Sequence, residues 1–362
     1  MRLLHVGARD FRNLAPFRLG LDARFVIVHG ENGHGKTNLL EAIYVLATLR
    51  PLRGARLKDA VAWGAVGAVI EGASRSGGGP RALKVELGDE RRTFLDGSAC
   101  RDLDAYFDEI RAIAFTPSDA AILTEGPEHR RAWLDRAAFT ASPSHLGVVR
   151  TCQRILAQKG AALRQLRPDP DLLDALDVQL ARAGAELTAR RAALLDELRP
   201  HIEAVHARIA GAPGALRFQI RTQAEGATPS QRAEGLGERL QRLRAEELRR
   251  RTCLAGPQRD DMVVLLDGQP ARTFASRGQT RSIVLGLKLA ELEAARVRGQ
   301  APLFLLDDLS SELDAGRTAR LIERLRELDA HVVVTTTDPE LLAGMTDGDA
   351  QRVRVVSGQL QA

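Results

Sequence analysis

The chain alternates between two hydrophobic rhythms. Phe25-Val26-Ile27-Val28 is a short unbroken apolar run that stops at a glycine-rich turn, the pattern of a strand buried on both faces. After the turn, Leu39, Leu40, Ile43, Tyr44 and Ala47 recur at helical spacing. Leu83, Val85 and Leu87 then alternate with other residues up to Gly88-Asp89, which predicts a strand with one buried face. The first 120 residues are therefore expected to be β-rich with one helix. From 121 to 254 the rhythm is helical. Leu172, Leu176, Leu180, Ala183, Leu187, Leu194, Leu198, Ile202, Val205 and Ile209 step by threes and fours with one gap of seven. Pro168 and Pro170 bound this stripe, and Pro200 should kink it. It predicts a helical lobe that packs on itself, with a partner-binding helix as the alternative. After 255 the buried-strand runs return in Leu303-Phe304-Leu305-Leu306 and Val332-Val333-Val334, with helical patterns at 279–298 and 315–328. The expected organisation is an α/β lobe made of residues 1–120 and 255–362, interrupted by a helical lobe at 121–254.

Composition narrows this picture at a few points. A length of 362 residues suits about two lobes, and 44% hydrophobic with 27% charged residues excludes a disordered or collagen-like chain. No apolar run approaches the roughly 18 residues of a membrane span, and Met1-Arg2-Leu3-Leu4-His5 lacks a signal-peptide stretch. Three distant cysteines, Cys100, Cys152 and Cys253, suggest neither a disulfide framework nor a zinc site. A cytoplasmic protein with no membrane partner is expected. The net charge of +5 is uneven: residues 121–254 carry +6 and residues 255–362 carry −3. Only five of the 52 basic residues are lysine. A GC-rich genome produces that bias, and arginine's rigid fork also suits phosphate, so nucleic acid is an admissible partner.

The chemistry begins at Gly30-Glu31-Asn32-Gly33-His34-Gly35-Lys36-Thr37, which fits GxxxxGK[ST] between a predicted strand and a predicted helix. Glycines let the backbone wrap close to phosphate oxygens with its N–H groups inward, and the helix start adds a positive dipole end. Lys36 would reach the β- and γ-phosphates of a nucleotide, and the Thr37 hydroxyl would ligate Mg²⁺. A second element is the strand 303–306 ending in Asp307-Asp308. Unpaired carboxylates are costly to bury, so something positive is expected there. Asp307 would hold Mg²⁺ and Asp308 would orient or deprotonate the attacking water. The alternative is that both acids cap a helix beginning near Ser310. A third element, Ser276-Arg277-Gly278-Gln279 at a predicted helix start, forms a second anion site.

In this order the elements resemble an ABC-type ATPase head, in the branch that contains structural-maintenance-of-chromosomes (SMC) heads, and most closely the RecF family of bacterial recombination and gap-repair proteins. The resemblance is carried by Phe11-Arg12-Asn13, by 30–43, by Gly256-Pro257-Gln258-Arg259-Asp260-Asp261, by 275–281, by Leu287-Lys288-Leu289-Ala290-Glu291 and by Asp307-Asp308. Arg130-Arg131 and Leu134-Asp135 extend it through the middle. It implies an α/β fold with a phosphate-loop parallel core, an antiparallel β subdomain and a helical insertion lobe. It also implies a weak ATPase that works as a dimer, with ATP and Mg²⁺ at the loop Gly30, Glu31, Asn32, Gly33, His34, Gly35, Lys36 and Thr37. Ser276, Gly278 and Gln279 would contact the γ-phosphate bound on the partner chain. Lys36, Asp307 and Asp308 would be catalytic. The DNA bound would be gapped duplex near single-/double-strand junctions, and RecR and RecO would be partners in loading RecA.

Several positions depart from the family pattern. Arg277 and Thr280 stand where it usually has glutamines, and Gln258 where it usually has histidine. General ABC heads carry a catalytic glutamate where Asp308 stands; the shorter acid is usual in the RecF family and suggests slow hydrolysis. No glutamine loop occurs between 101 and 152, and Asp119 is given a supporting role there. Thr335-Thr336-Thr337 replaces the histidine switch, so Thr336 is expected to sense the γ-phosphate. Arg50, Arg53 and Arg56 are the expected DNA contacts, with plain surface charge as the alternative. Two other functional readings remain open at this point: an ATP-gated binding module in which hydrolysis is incidental, and the ATPase subunit of a transporter.

Overall fold

The computed structural model describes residues 2–54, 56–76, 79–101, 103–210, 214–343 and 350–361. The chain divides into two compact units, one made of Met1–Asp119, Val205–Ala212 and Arg281–Ala362, the other of Ala120–Ala204 and Pro213–Thr280.

Two six-stranded sheets build the first unit. One runs in the order Gln359–Gln361, Ala350–Val356, Phe25–His29, Val332–Thr336, Leu303–Leu306, Ala112–Phe115. All its neighbours are parallel except the edge hairpin formed by the first two strands. Residues 25–28, Leu303–Leu306 and Val332–Thr336 are buried throughout, which is why the sequence reads there as unbroken apolar runs. The other sheet is antiparallel, in the order Phe17–Gly20, Arg2–Arg9, Ala68–Ser76, Gly79–Leu87, Arg92–Leu95, Ser98–Ala99. Leu83, Val85 and Leu87 form the buried face of Gly79–Leu87.

The helix Lys36–Thr48 touches strands of both sheets, so it is buried nearly all round instead of along one stripe. Gly72 permits the close approach, since a Cβ there would lie 2.8 Å from Leu46 Cδ2. Even Glu41 is fully buried in this helix, and Arg12 neutralises it with Nε at 2.9 Å and Nη2 at 3.0 Å.

The second unit is mainly helical, with Pro127–Ala141, His145–Leu163, Pro229–Arg250 and most of the 41-residue helix Pro170–Ala210. Pro200 lies inside that helix without ending it. Of the predicted stripe, Leu172 is 42% exposed, and the buried residue at that turn is Leu173. A strand not predicted within 121–254, Leu216–Arg221, pairs with Asp261–Leu266 from Leu216↔Leu266 to Arg221↔Asp261. This pairing joins residues beyond 255 to the second unit. Lys159 is wholly buried there, 2.5 Å from Asp177 and 2.6 Å from Glu247, so its charge is compensated within the unit. Among the described residues no helix is long and apolar enough to cross a membrane.

Candidate functional site

The predicted phosphate loop joins the strand Phe25–His29 to the helix Lys36–Thr48. Gly35, at φ 108°, caps the helix in a backbone region that other residues avoid. Gly30 has φ 149° and no room for a side chain, because its Cβ would stand 2.3 Å from Val355 O. Lys36 is 6% exposed and folds over its own loop, with Nζ donating to Gly30 O at 2.7 Å, Glu31 O at 2.9 Å and Asn32 Oδ1 at 3.4 Å. Burial lowers its pKa, while Asp308 and Asp307 act against that shift. Glu31 Oε2 and His34 Nε2 lie 3.7 Å apart.

Thr37 Oγ1 donates to Asp307 Oδ1 at 2.8 Å, joining the helix start to the end of the strand Leu303–Leu306. The same carboxylate oxygen accepts from Thr335 Oγ1 at 2.8 Å. Register explains that contact: Leu306 is level with Val334, which sets Asp307 beside Thr335. Burial raises the Asp307 pKa, opposed by the Thr335 and Thr37 hydrogen bonds and by the Arg53 charge. A buried carboxylate held by two neutral hydroxyls suits a hard cation, and the Thr37–Asp307 pair is the hydroxyl and carboxylate with which phosphate-loop nucleotide sites hold Mg²⁺. Among the described residues there is no group of three His, Cys, Asp or Glu that could hold a metal by themselves. Asp308 turns the chain with φ 52°, and its N–H donates to Thr335 Oγ1 at 2.8 Å. It stands at the N-cap of Leu309–Glu312 but makes no side-chain cap bond, so its carboxylate is not used for capping.

Asn32, Gly35, Lys36, Thr37, Asp307, Asp308 and Thr335 share a cavity of about 420 Å³ with Gly33, Asn38, Arg53 and the segment Thr116-Pro117-Ser118, whereas Gly30, Glu31 and His34 do not line it. All of its lining belongs to the first unit. Asp119 holds that segment from behind: Oδ2 accepts from Thr116 N–H at 2.8 Å and Thr116 Oγ1 at 3.0 Å, and Oδ1 lies 3.1 Å from Lys288 Nζ. Thr336 is directed elsewhere, its hydroxyl donating to Asp338 O at 3.1 Å and accepting from Asp338 N–H at 3.0 Å. Its neighbour Thr335 lines the cavity, because successive residues of a strand face opposite ways.

The three arginines expected on DNA separate. Arg53 turns into the cavity and donates from Nη2 to Asn38 Oδ1 at 2.5 Å. Arg56 is exposed, with Nε 3.7 Å from Asp59 Oδ2, and Arg50 is half-buried. Ser276, Gly278 and Gln279 belong to the second unit, at the start of the helix Arg277–Val297. Ser276 N–H donates to Gln279 Oε1 at 2.8 Å and Gln279 N–H to Ser276 Oγ at 3.2 Å, a reciprocal capping box with both residues exposed. Thr335, Asn38 and the cavity-facing role of Arg53 were missed in the sequence. The strand alternation around Thr336 was the available signal for the first.

No protein-family model matches the chain. It is 41% identical over 372 residues to the DNA replication and repair protein RecF of Myxococcus xanthus (strain DK1622), covering 99% of this chain and 97% of that protein. Among solved structures it is similar to the recombination mediator protein RecF-ATPrS in the RecFOR pathway, with TM-score 0.88 and 25% identity over 99% of this chain and 97% of the other. The fold also matches an SmcHead bound to the C-winged helix domain of ScpA, with TM-score 0.56 and 12% identity over 100% and 96% of the two chains. The expected ABC/SMC-type head is therefore the fold observed, and the chain belongs to the RecF family of DNA replication and repair proteins.

Proposed function

We propose that this chain is an ATP-dependent switch on DNA. ATP and Mg²⁺ bind at Gly30–Thr37, and two chains close with Ser276, Gly278 and Gln279 of each facing the loop of the other. The closed dimer holds DNA near single-/double-strand junctions and acts with RecO and RecR to load RecA at gaps. Slow hydrolysis resets it. The observation carrying the nucleotide half is the 2.8 Å link between Thr37 and Asp307 beside the lysine-bearing loop. The RecFOR setting of a similar structure supports the pathway half.

Bound Mg²⁺ would supply charge neutralisation at the phosphates. The chain's own residues do the rest. Lys36 exchanges loop carbonyls for phosphate oxygens, which are stronger partners for an ammonium group. Thr37 and Asp307 hold the cation from the protein side. Asp308 orients a water and takes its proton. Thr335, bonded to Asp307 and to the Asp308 N–H, occupies the sensing position expected of Thr336. Arg56 and Arg50 are assigned to the DNA backbone, whereas Arg53 serves the cavity.

Light scattering with ATP, ADP or no nucleotide, alongside binding to gapped DNA, tests the reading. ATP alone should produce dimers, Ser276→Arg should abolish them, and DNA binding should follow the dimer. A chain that stays monomeric with ATP and binds gapped DNA equally well without it would refute the switch.

A further inference from the structure

The strands Phe25–His29 and Ala350–Val356 run side by side, with His29 level with Arg354. The chain leaving the first enters the phosphate loop, and the chain leaving the second enters the turn at Ser357-Gly358. These two turns are bonded. Gly358 N–H donates to His34 O at 2.9 Å, and Gly358 O accepts from Ala15 N–H at 2.9 Å. Only glycine fits there: φ is +81°, and a Cβ would lie 2.1 Å from Asn13 O. A second donor reaches the loop beside it, Asn13 Nδ2 to Gly33 O at 3.3 Å.

The orientation of the Asn13 amide follows from a chain of bonds. Arginine has no acceptor, so the Asn38 atom 2.5 Å from Arg53 Nη2 is Oδ1. Asn38 therefore turns Nδ2 to Asn13, 2.6 Å from its Oδ1, which leaves Asn13 Nδ2 for the Gly33 carbonyl.

In a trans peptide the C=O and N–H point in opposite directions. Gly33 O shares a peptide with His34 N–H, and His34 O shares the next with Gly35 N–H. Gly33 and Gly35, which flank His34, line the cavity, whereas His34, Asn13 and Gly358 do not. Each carbonyl is thus drawn away from the cavity by a donor behind it. The His34 N–H makes only a 3.4 Å contact with Glu31 O, a weak bond that a charged oxygen would displace.

We infer that Asn13 and Gly358 are positioning residues of the nucleotide site, holding the Gly33 and His34 carbonyls outward so that the His34 and Gly35 N–H groups face the phosphates. This rests on the reading of Gly30–Thr37 as a phosphate-binding loop. The edge hairpin thereby becomes part of the site without touching its ligand. Because the device acts on phosphates alone, its loss weakens every polyphosphate by the same factor.

The test is calorimetric titration of the full chain with ATP, ADP and inorganic tripolyphosphate, each with Mg²⁺. Asn13→Asp keeps the oxygen that accepts from Asn38 and removes the donor to Gly33 O. Asn13→Leu removes it without adding charge, and Gly358→Ala displaces the second donor. Each variant should bind all three ligands roughly tenfold more weakly, the scale of one hydrogen bond to a charged group. The ligand-free melting temperature of the two Asn13 variants should stay at the native value. Native affinities in Asn13→Leu, or a loss for ATP that spares tripolyphosphate, would overturn the inference. Lys36→Ala separates the two readings. If it abolishes binding while the Asn13 and Gly358 variants bind normally, the positioning role alone is wrong. If it binds as the native chain does, both are.

Discussion

At the scale of single residues, Asp307 is where folding and function pull apart. Burial raises its pKa, so the folded state binds a proton more tightly than the unfolded chain does. A raised carboxylate pKa contributes stability that is present below the unfolded value of 3.8 and is lost as pH rises through the folded value. At neutral pH, without nucleotide, burial of the Asp307 carboxyl is therefore a liability that a bound cation would relieve. Asp307→Asn should raise the ligand-free melting temperature at pH 7.5, with the gain shrinking as pH is lowered toward 4. The same variant should lose Mg²⁺-dependent ATP binding. A melting scan across pH, paired with ATP titration, checks both. A variant no more stable than native at pH 7.5 would show that the two threonine hydroxyls already compensate the charge.

At the scale of elements, the helix Pro170–Ala210 shows what a hydrophobic pattern can and cannot specify. Its stripe predicts the buried face from Leu176 onward, and Leu176, Leu180, Leu187, Leu194 and Leu198 are buried. At the first turn two adjacent leucines fit the period nearly equally, and packing chooses Leu173, 1% exposed, over Leu172, 42% exposed. Leu173→Ala should cost roughly 2–5 kcal/mol in urea unfolding through the cavity it leaves. Leu172→Ala should stay within about 0.5 kcal/mol. Equal costs would mean that the helix is rotated relative to this packing. The same limit explains the rest of what the sequence concealed. Three strands of the parallel sheet, Phe25–His29, Leu303–Leu306 and Val332–Thr336, were legible because burial on both faces leaves an unbroken apolar run, whereas Ala112–Phe115 and Ala350–Val356 were not predicted. Leu216–Arg221 was not, since its buried positions are few and its pairing with Asp261–Leu266 spans a long separation. In the site, Lys36, Thr37 and Asp307 carry their chemistry in local motifs. Thr335, Asn38 and Arg53 acquire theirs only from strand register and from the return of the chain after the phosphate-loop helix.

At the scale of the whole molecule, the proposed function requires two chains. The cavity holding Lys36, Asp307 and Asp308 lies wholly within the first unit, whereas the exposed Ser276–Gln279 capping box belongs to the second. In the proposed dimer each nucleotide meets the first unit of one chain and the second unit of the other. Mixing therefore distinguishes this arrangement from a nucleotide site completed within one chain. Lys36→Ala disables the phosphate loop and keeps the Ser276–Gln279 signature, and Ser276→Arg does the reverse. Alone, neither variant should dimerise with ATP, because each would have two incomplete composite sites. Mixed one to one, they can form a heterodimer with one intact site and one doubly damaged site. Light scattering should then show an ATP-dependent dimer in the mixture, weaker than the native one because a single nucleotide holds it. Separate affinity tags should recover both variants together. If the mixture stays monomeric while both variants are folded, one composite site cannot sustain closure, and the two-site sandwich must act as an all-or-none unit. If Lys36→Ala or Ser276→Arg dimerises alone with ATP, the loop of one chain does not depend on the signature of the other, and the sandwich is the wrong geometry for this protein.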